Sequence, residues 1–218
     1  MTTDGTPTER RLVVLDVDST LITAEVVELL ADRAGSRAAV TAVTERAMRG
    51  EIDFATSLHD RVATLVGLPA SVCDDVLAEV ELSPGAAELL DGLAAVGWPV
   101  CLVSGGFAEI VEPLAARLGV VHTRANRLEV RGGRLTGRVA GPVVDRAAKA
   151  VALREFAALE GVPLDRTVAV GDGANDLDML AAAGIGIAYN AKPRVRAAAD
   201  VALDGDRLDG VLDVLGLR

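Results

Sequence analysis

Short Val-rich runs bounded by turn residues recur along the chain at RLVVLD, WPVCLVSGG, TVAVGDG, GIGIAYN and ADVALDG. Most are separated by stretches whose apolar residues repeat at helical spacing. Buried strands alternating with helices predict an α/β fold, a doubly wound, mostly parallel sheet. In such sheets ligands collect at the carboxyl ends of the strands, and three of the runs end in DVDST, SGG and GDGAND.

From Ala24 to about Ser83 the strand pattern stops. Helical periodicity covers Ala24 to Ala34, Arg37 to Met48, Asp53 to Val66 and Pro69 to Glu81, and SPGA, Ser83 to Ala86, marks the return to the sheet. The pattern therefore predicts a core of residues 11–22 and 83–218, an inserted helical cap of residues 23–82, and a frayed polar tail of residues 1–10. The stretch from Asn126 to Val139 alternates on either side of Gly132-Gly133, the signature of a small β-hairpin.

Composition narrows the picture. With 218 residues, half of them hydrophobic but only one Trp, one Tyr and three Phe, the core is expected to be built from Ala, Val and Leu in many small contacts. A net charge of −10 without a basic cluster argues against nucleic-acid or anionic-membrane partners. An anionic ligand would need a local pocket of positive groups. No run approaches the ~18 apolar residues of a membrane span. Cys73 and Cys101 lie on apolar segments without metal or redox spacing, which reads as buried thiols of a reduced, cytoplasmic protein.

The chemistry concentrates at the strand ends. Asp16 and Asp18, two apart in an extended run, are expected to project to the same side, where two carboxylates repel unless a cation or donor lies between them. Capping of the next helix does not demand both acids, because Ser19, Thr20 or Thr23 suffices. Asp172 follows another Val-rich run, with Asn175 and Asp176 in the next turn; with Asp16 it offers the few hard oxygen ligands that suit Mg²⁺. GDGAND lacks the last glycine of a dinucleotide loop, and Asp172 has the wrong sign to face a pyrophosphate. Asp178 reads as a solvated helix acid.

Ser104, Gly105 and Gly106 precede a helix, where glycine amides and a helix N-terminus suit an anion, although Ser104 serves equally as a plain cap. Lys149 falls in the first turns of a helix starting near Asp145, a position where the helix dipole disfavours a cation unless an anion is close. Along Asp53 to Val66 the apolar stripe is Phe54, Leu58, Val62 and Leu65, and Arg61 lies within about 20° of its Phe54 edge. A cation so placed needs an anionic partner or must snorkel out. Glu25 lies close in sequence to Asp18, though dipole stabilisation in a first helical turn explains it as well. Met48 and Phe54 read as core residues on general grounds, and His59 as a surface residue.

Taken together these residues resemble the haloacid dehalogenase superfamily and, within it, the phosphoserine phosphatases. DVDST is similar to the first motif, SGG to the second, Lys149 to the third and GDGANDLDML to the fourth, in order along nearly the whole chain. Glu25 in TAE, then Met48, Gly50, Phe54 and Arg61 in MRGEIDFATSLHDRV, and NAKP at Asn190 to Pro193, are similar to the substrate-reading positions. The resemblance implies a Rossmann-like core and a Mg²⁺-dependent hydrolysis of O-phospho-L-serine, the last step of serine biosynthesis. It assigns Asp16 as nucleophile and Asp18 as general acid and base. Mg²⁺ would be held by Asp16, Asp172 and the backbone carbonyl of Asp18, with Asp176 behind it. Ser104, Gly105, Gly106, Lys149 and Asn175 would hold the phosphoryl group, Arg61 the substrate carboxylate and Glu25 its ammonium, with Met48 and Phe54 as pocket walls. His59 and Asp60 depart from the more basic pair usual in the family. The alternatives are another small phosphomonoester, another acceptor such as homoserine, a receiver-like signalling module, or a non-catalytic binder. A monomer or homodimer is expected. Nothing preceding Asp16 in this sequence suggests a regulatory domain.

Overall fold

The computed structural model describes residues 9–48 and 51–218, with Met48 described in its backbone only. Met48 as a pocket wall and Gly50 therefore lie outside the described residues, as do residues 1–8. At the other end of the expected tail, Glu9 pairs with Arg166 and Arg10 with Glu160, so these two residues are tied to the core.

Seven strands form one sheet in the order β4-β3-β2-β1-β5-β6-β7. They are β1 (Leu12–Asp16), β2 (Val100–Phe107), β3 (His122–Arg131), β4 (Arg134–Ala140), β5 (Thr167–Gly171), β6 (Ile185–Tyr189) and β7 (Val201–Leu203). All neighbours are parallel except β3 and β4. The alternation of side chains explains the unbroken apolar runs. In β1, Val13 and Leu15 enter one core while Leu12 and Val14 enter the other, so a strand covered on both faces has no polar side to show. Asp16 continues the Leu12 and Val14 series and so faces the same layer as α7 (Arg146–Glu160).

Four helices stand between β1 and α5 (Ala86–Ala95): α1 (Val26–Ala34), α2 (Arg37–Met48), α3 (Phe54–Ala63) and α4 (Val72–Glu79). α3 begins where the Asp53 carboxylate accepts the Thr56 N–H at 2.7 Å, a cap worth ~1 kcal/mol. The connections into and out of this helical insert run side by side. Ile22 pairs antiparallel with Leu82, the Ser83 N–H donates to the Leu21 carbonyl, and the Ser83 hydroxyl donates to the Thr20 carbonyl.

The hairpin differs from expectation in one respect. β3 starts at His122, ahead of the alternating run, and its first half pairs parallel with β2 before its second half pairs antiparallel with β4. β4 in turn touches the insert, since Gly67 N–H donates to the Leu135 carbonyl and Leu135 N–H to the Leu68 carbonyl, each at 2.9 Å. The remaining helices are α6 (Ala108–Arg117), α8 (Leu177–Ala182), α9 (Pro193–Arg196) and α10 (Gly210–Val214).

Candidate active site

The carboxyl ends of β1, β2 and β5 meet the N-terminal turns of α7. Lys149 is fully buried, and its Nζ donates to Asp16 Oδ1 at 2.5 Å and to Asp176 Oδ1 at 2.6 Å. The other Asp176 oxygen accepts the Gly173 N–H at 2.9 Å. Asp176 is thereby engaged on both sides, as suits a residue that holds others in place. A side chain on Gly171 would collide with its carboxyl group, so glycine is what lets Asp176 pack against the end of β5.

Oxygens of Asp16, Asp172 and Asp176 lie within 4.8 Å of one another. Three acids share this pocket with Lys149, and the burial of Asp16 and Asp172 opposes their ionisation. Burial, then Asp176, pushes the Asp16 carboxyl well above its ordinary value, with Lys149 opposing. Asp172 is pushed up to about 6 by burial, then by Asp176 and Glu25, while the Thr20 hydroxyl donating at 3.2 Å pulls the other way. For Lys149, burial acts downward, but Asp16 and Asp176 more than reverse it, so the ammonium is held above its usual range. The donors are hard oxygens in negative excess, which fits a divalent cation such as Mg²⁺.

The expectation that Asp16 and Asp18 share a strand face is corrected. β1 ends at Asp16, and a tight turn follows in which Ser19 takes the left-handed φ of 56°. The turn swings Asp18 across to β2: a carbon added to Gly106 would lie 2.7 Å from Asp18 Oδ2 and 3.0 Å from Ser104 Oγ. Gly106 is thus required by close approach rather than by φ. Burial, then Glu25, raises the Asp18 carboxyl well above its ordinary value. Its Oδ1 is buried without a hydrogen-bond partner, one of three such side-chain atoms among the described residues.

Ser104 is fully buried at the end of β2, and its Oγ accepts the Gly106 N–H at 2.7 Å. It does not cap α6, which begins at Ala108 behind Phe107. From the insert, Phe54 comes within 3.0 Å, and from the turn after β5 Asn175 within 3.5 Å, of where a Gly105 side chain would project. Arg61 is half-buried with its Nε on the Ser57 carbonyl at 3.2 Å. Burial lowers its guanidinium from the ordinary value, while Glu25, Asp18 and Glu28 act in the opposite direction. Glu25 stands at the N-cap of α1 instead of in its first turn, and its carboxylate accepts the Ser19 hydroxyl at 2.7 Å.

His59 and Asp60 are exposed, as expected, and Asp178 pairs with Arg146; of the expected substrate-reading positions, Asn190 stays apart. Asn190 closes the β6–β7 connection through Gly205, donating and accepting one hydrogen bond each. Sequence reasoning missed Thr20 and Asn126; the latter is buried, donates to the Gly105 carbonyl and accepts the Val144 N–H. Thr20 could have been found from its position between the two acids and the insert, whereas Asn126 carries no sequence signal beyond opening the hairpin.

A sheet of this order with acids at its strand ends and helices inserted after β1 is the architecture of a haloacid dehalogenase-like hydrolase. That family's model matches residues 13–181, and the chain belongs to it. Over 208 residues it is 57% identical to phosphoserine phosphatase SerB2 of Mycobacterium tuberculosis, a match covering 95% of this chain and 51% of that protein. It is 48% identical over 204 residues to the phosphoserine phosphatase of Streptococcus thermophilus, covering 94% of this chain and 95% of that protein. The chain thus spans about half the length of the M. tuberculosis relative and of a Streptomyces coelicolor phosphoserine phosphatase, at 51% of each. Among solved structures, a phospho-aspartyl intermediate analogue of phosphoserine phosphatase superposes with a TM-score of 0.89 at 38% identity, covering 94% of this chain and 98% of that one.

Proposed function

We propose that this chain hydrolyses O-phospho-L-serine to L-serine and phosphate. The observation that carries the substrate is the placement of Arg61 among Glu25 and Asp18: a cation and an anion from the start and middle of the insert face the acid pocket, complementary to the carboxylate and ammonium of an amino acid. Phe54 closes the space above Gly105. The relatives' names support the same reading. The insert of residues 23–82 acts as the cap, hinged where Ile22 pairs with Leu82.

Asp16 attacks phosphorus, so that a bond forms to its carboxylate oxygen as the bond from phosphorus to the serine oxygen breaks. Asp18, whose carboxyl is raised well above its ordinary value by burial and Glu25 and whose Oδ1 has no hydrogen-bond partner, gives a proton to the departing serine oxygen. It then takes a proton from the water that attacks the aspartyl phosphate, releasing phosphate and restoring Asp16. Lys149 holds Asp16 in line and faces the phosphoryl oxygens together with Ser104. Asp16, Asp172 and the Asp18 carbonyl would hold Mg²⁺, which would supply neutralisation of the phosphoryl charge. Asn175 and Asp176 support this arrangement from behind. Cellular placement is cytoplasmic, in serine biosynthesis, with a monomer or homodimer as the working form; no helix among the described residues is long and apolar enough to cross a membrane.

The test is phosphate release from L-phosphoserine with Mg²⁺, against p-nitrophenyl phosphate and a panel of sugar and nucleotide phosphates. Phosphoserine should be strongly preferred. Arg61→Ala should lower kcat/KM for phosphoserine by about 10²-fold, since it leaves the substrate carboxylate unpaired, but that for p-nitrophenyl phosphate by less than about threefold. An equal loss on both esters would remove the assigned role.

Metal binding should depend on acid in a definite direction. Because Asp172 must lose its proton to ligate, and its carboxyl is pushed up to about 6, the Kd for Mg²⁺ should rise by about tenfold or more per pH unit below that value and level off above it. Calorimetric titration across this range checks it. A flat profile would mean that Asp172 is not a ligand.

A further inference from the structure

We infer that Asn126 is a positioning residue that aims the Ser104 hydroxyl at the phosphoryl group and ties it to the helix carrying Lys149. The inference rests on the phosphatase reading and deepens it.

Between the pairs Val103–Arg124 and Phe107–Asn126 the ladder of β2 and β3 slips: residues 104–106 of β2 stand opposite the single residue 125. This bulge takes the Ser-Gly-Gly backbone out of sheet pairing, which leaves its polar groups in need of other partners. The Asn126 side chain supplies one. It is 1% exposed, and its Nδ2 donates to the Gly105 carbonyl at 2.8 Å while its Oδ1 accepts the Val144 N–H at 2.7 Å. One partner is a pure acceptor and the other a pure donor, so the amide has only one workable orientation.

The Gly105 carbonyl and the Gly106 N–H belong to one trans peptide, in which they point in opposite directions. Holding the carbonyl on Asn126 therefore turns the N–H the other way, where it donates to Ser104 Oγ at 2.7 Å. With that lone pair engaged, the hydroxyl hydrogen is directed away from the Gly106 amide and is free to donate to a phosphoryl oxygen. The second arm of Asn126 reaches Val144, next to Asp145, whose carboxylate caps α7 through the Ala148 N–H at 2.9 Å and whose carbonyl accepts the Lys149 N–H at 2.9 Å. One buried amide thus sets the register between the hydroxyl and the ammonium expected to share the same phosphoryl group.

The experiment compares wild type with Asn126→Leu and Asn126→Ala, using phosphoserine and p-nitrophenyl phosphate as substrates and beryllium trifluoride with Mg²⁺ as a phosphoryl mimic. In both variants kcat on both esters should fall about 10–100-fold, KM for phosphoserine should stay within about threefold, and Ki for beryllium trifluoride should rise at least about tenfold in step with kcat. Ki does not depend on how much of the chain is folded, so it separates misaiming from simple loss of active protein even where one variant folds poorly. An unchanged Ki in the folded fraction, or kcat within twofold of wild type, would overturn the role of Asn126 and leave the phosphatase reading standing. If wild type prefers another phosphate ester, the substrate reading fails while the same comparison on that ester still decides on Asn126. A wild-type chain that turns over no ester removes both.

Discussion

Replacing Asp16 by Asn is expected to lower phosphate release by about 10⁴-fold or more while leaving the chain folded. The amide retains an oxygen for the Lys149 ammonium but lacks the charge and nucleophilicity to attack phosphorus. A second consequence concerns stability. Burial and Asp176 hold the Asp16 carboxyl well above its ordinary value, so the ionised group costs folding free energy. The cost is absent below the carboxyl's unfolded value, grows as pH rises and is complete above the folded value. Asp16→Asn removes it, so the metal-free variant should melt above wild type at neutral pH, with the difference closing in acid. Single-turnover assay and thermal unfolding with and without Mg²⁺ check both halves. Residual turnover within about tenfold of wild type would mean that another group attacks phosphorus.

The opposition between stability and chemistry is what makes much of this site legible in the sequence. Acids at the tips of Val-rich strands, as at Asp16 and Asp172, have no packing rationale, and Lys149 near a helix start runs against the dipole; each violation marks a group that needs the others. Arg61 is legible for the same reason, as a cation beside an apolar stripe. The strands are legible because both faces of the sheet are covered, leaving unbroken apolar runs. The first half of β3 is not, since His122, Thr123 and Arg124 join the sheet through backbone pairing with Cys101, Leu102 and Val103 and show no apolar alternation. The direction of Asp18 escapes the strand pattern because it depends on the φ of Ser19, in the turn that follows once the strand has ended at Asp16. Glu25 stands at the N-cap and not in the first turn of its helix, with its carboxylate on the Ser19 hydroxyl. Asn126 is invisible for a different reason: its partners are backbone groups 21 and 18 residues away, and backbone groups leave no trace in residue type.

Removing the lysine should have the opposite sign on stability from replacing Asp16. In Lys149→Met the packing volume is nearly kept, but Asp16 and Asp176 lose the ammonium that touches both. Stripping one partner from a buried ion network leaves uncompensated charge, at a cost of about 3–5 kcal/mol at neutral pH. Because the folded-state pKa of Lys149 is raised, its own contribution is fully present below the unfolded lysine value of about 10.4 and is lost only as pH rises through the higher folded value. The lysine therefore stays charged throughout the neutral and acidic range, and any pH dependence there comes from the acids. As pH falls and Asp16, whose carboxyl is held above its ordinary value, takes up a proton, the deficit of the variant should shrink. Denaturant unfolding at pH values near 7.5 and 4.5 reads this directly, and kcat should fall about 10³-fold because the phosphoryl oxygens lose a fixed cation. Addition of Mg²⁺ should recover part of the stability, by bringing a cation back to Asp16, and little of the rate. A variant within about 1 kcal/mol of wild type at neutral pH would show that the acids of this pocket are already protonated in the folded chain, and Asp16 would then need Mg²⁺, and not Lys149, to become the nucleophile.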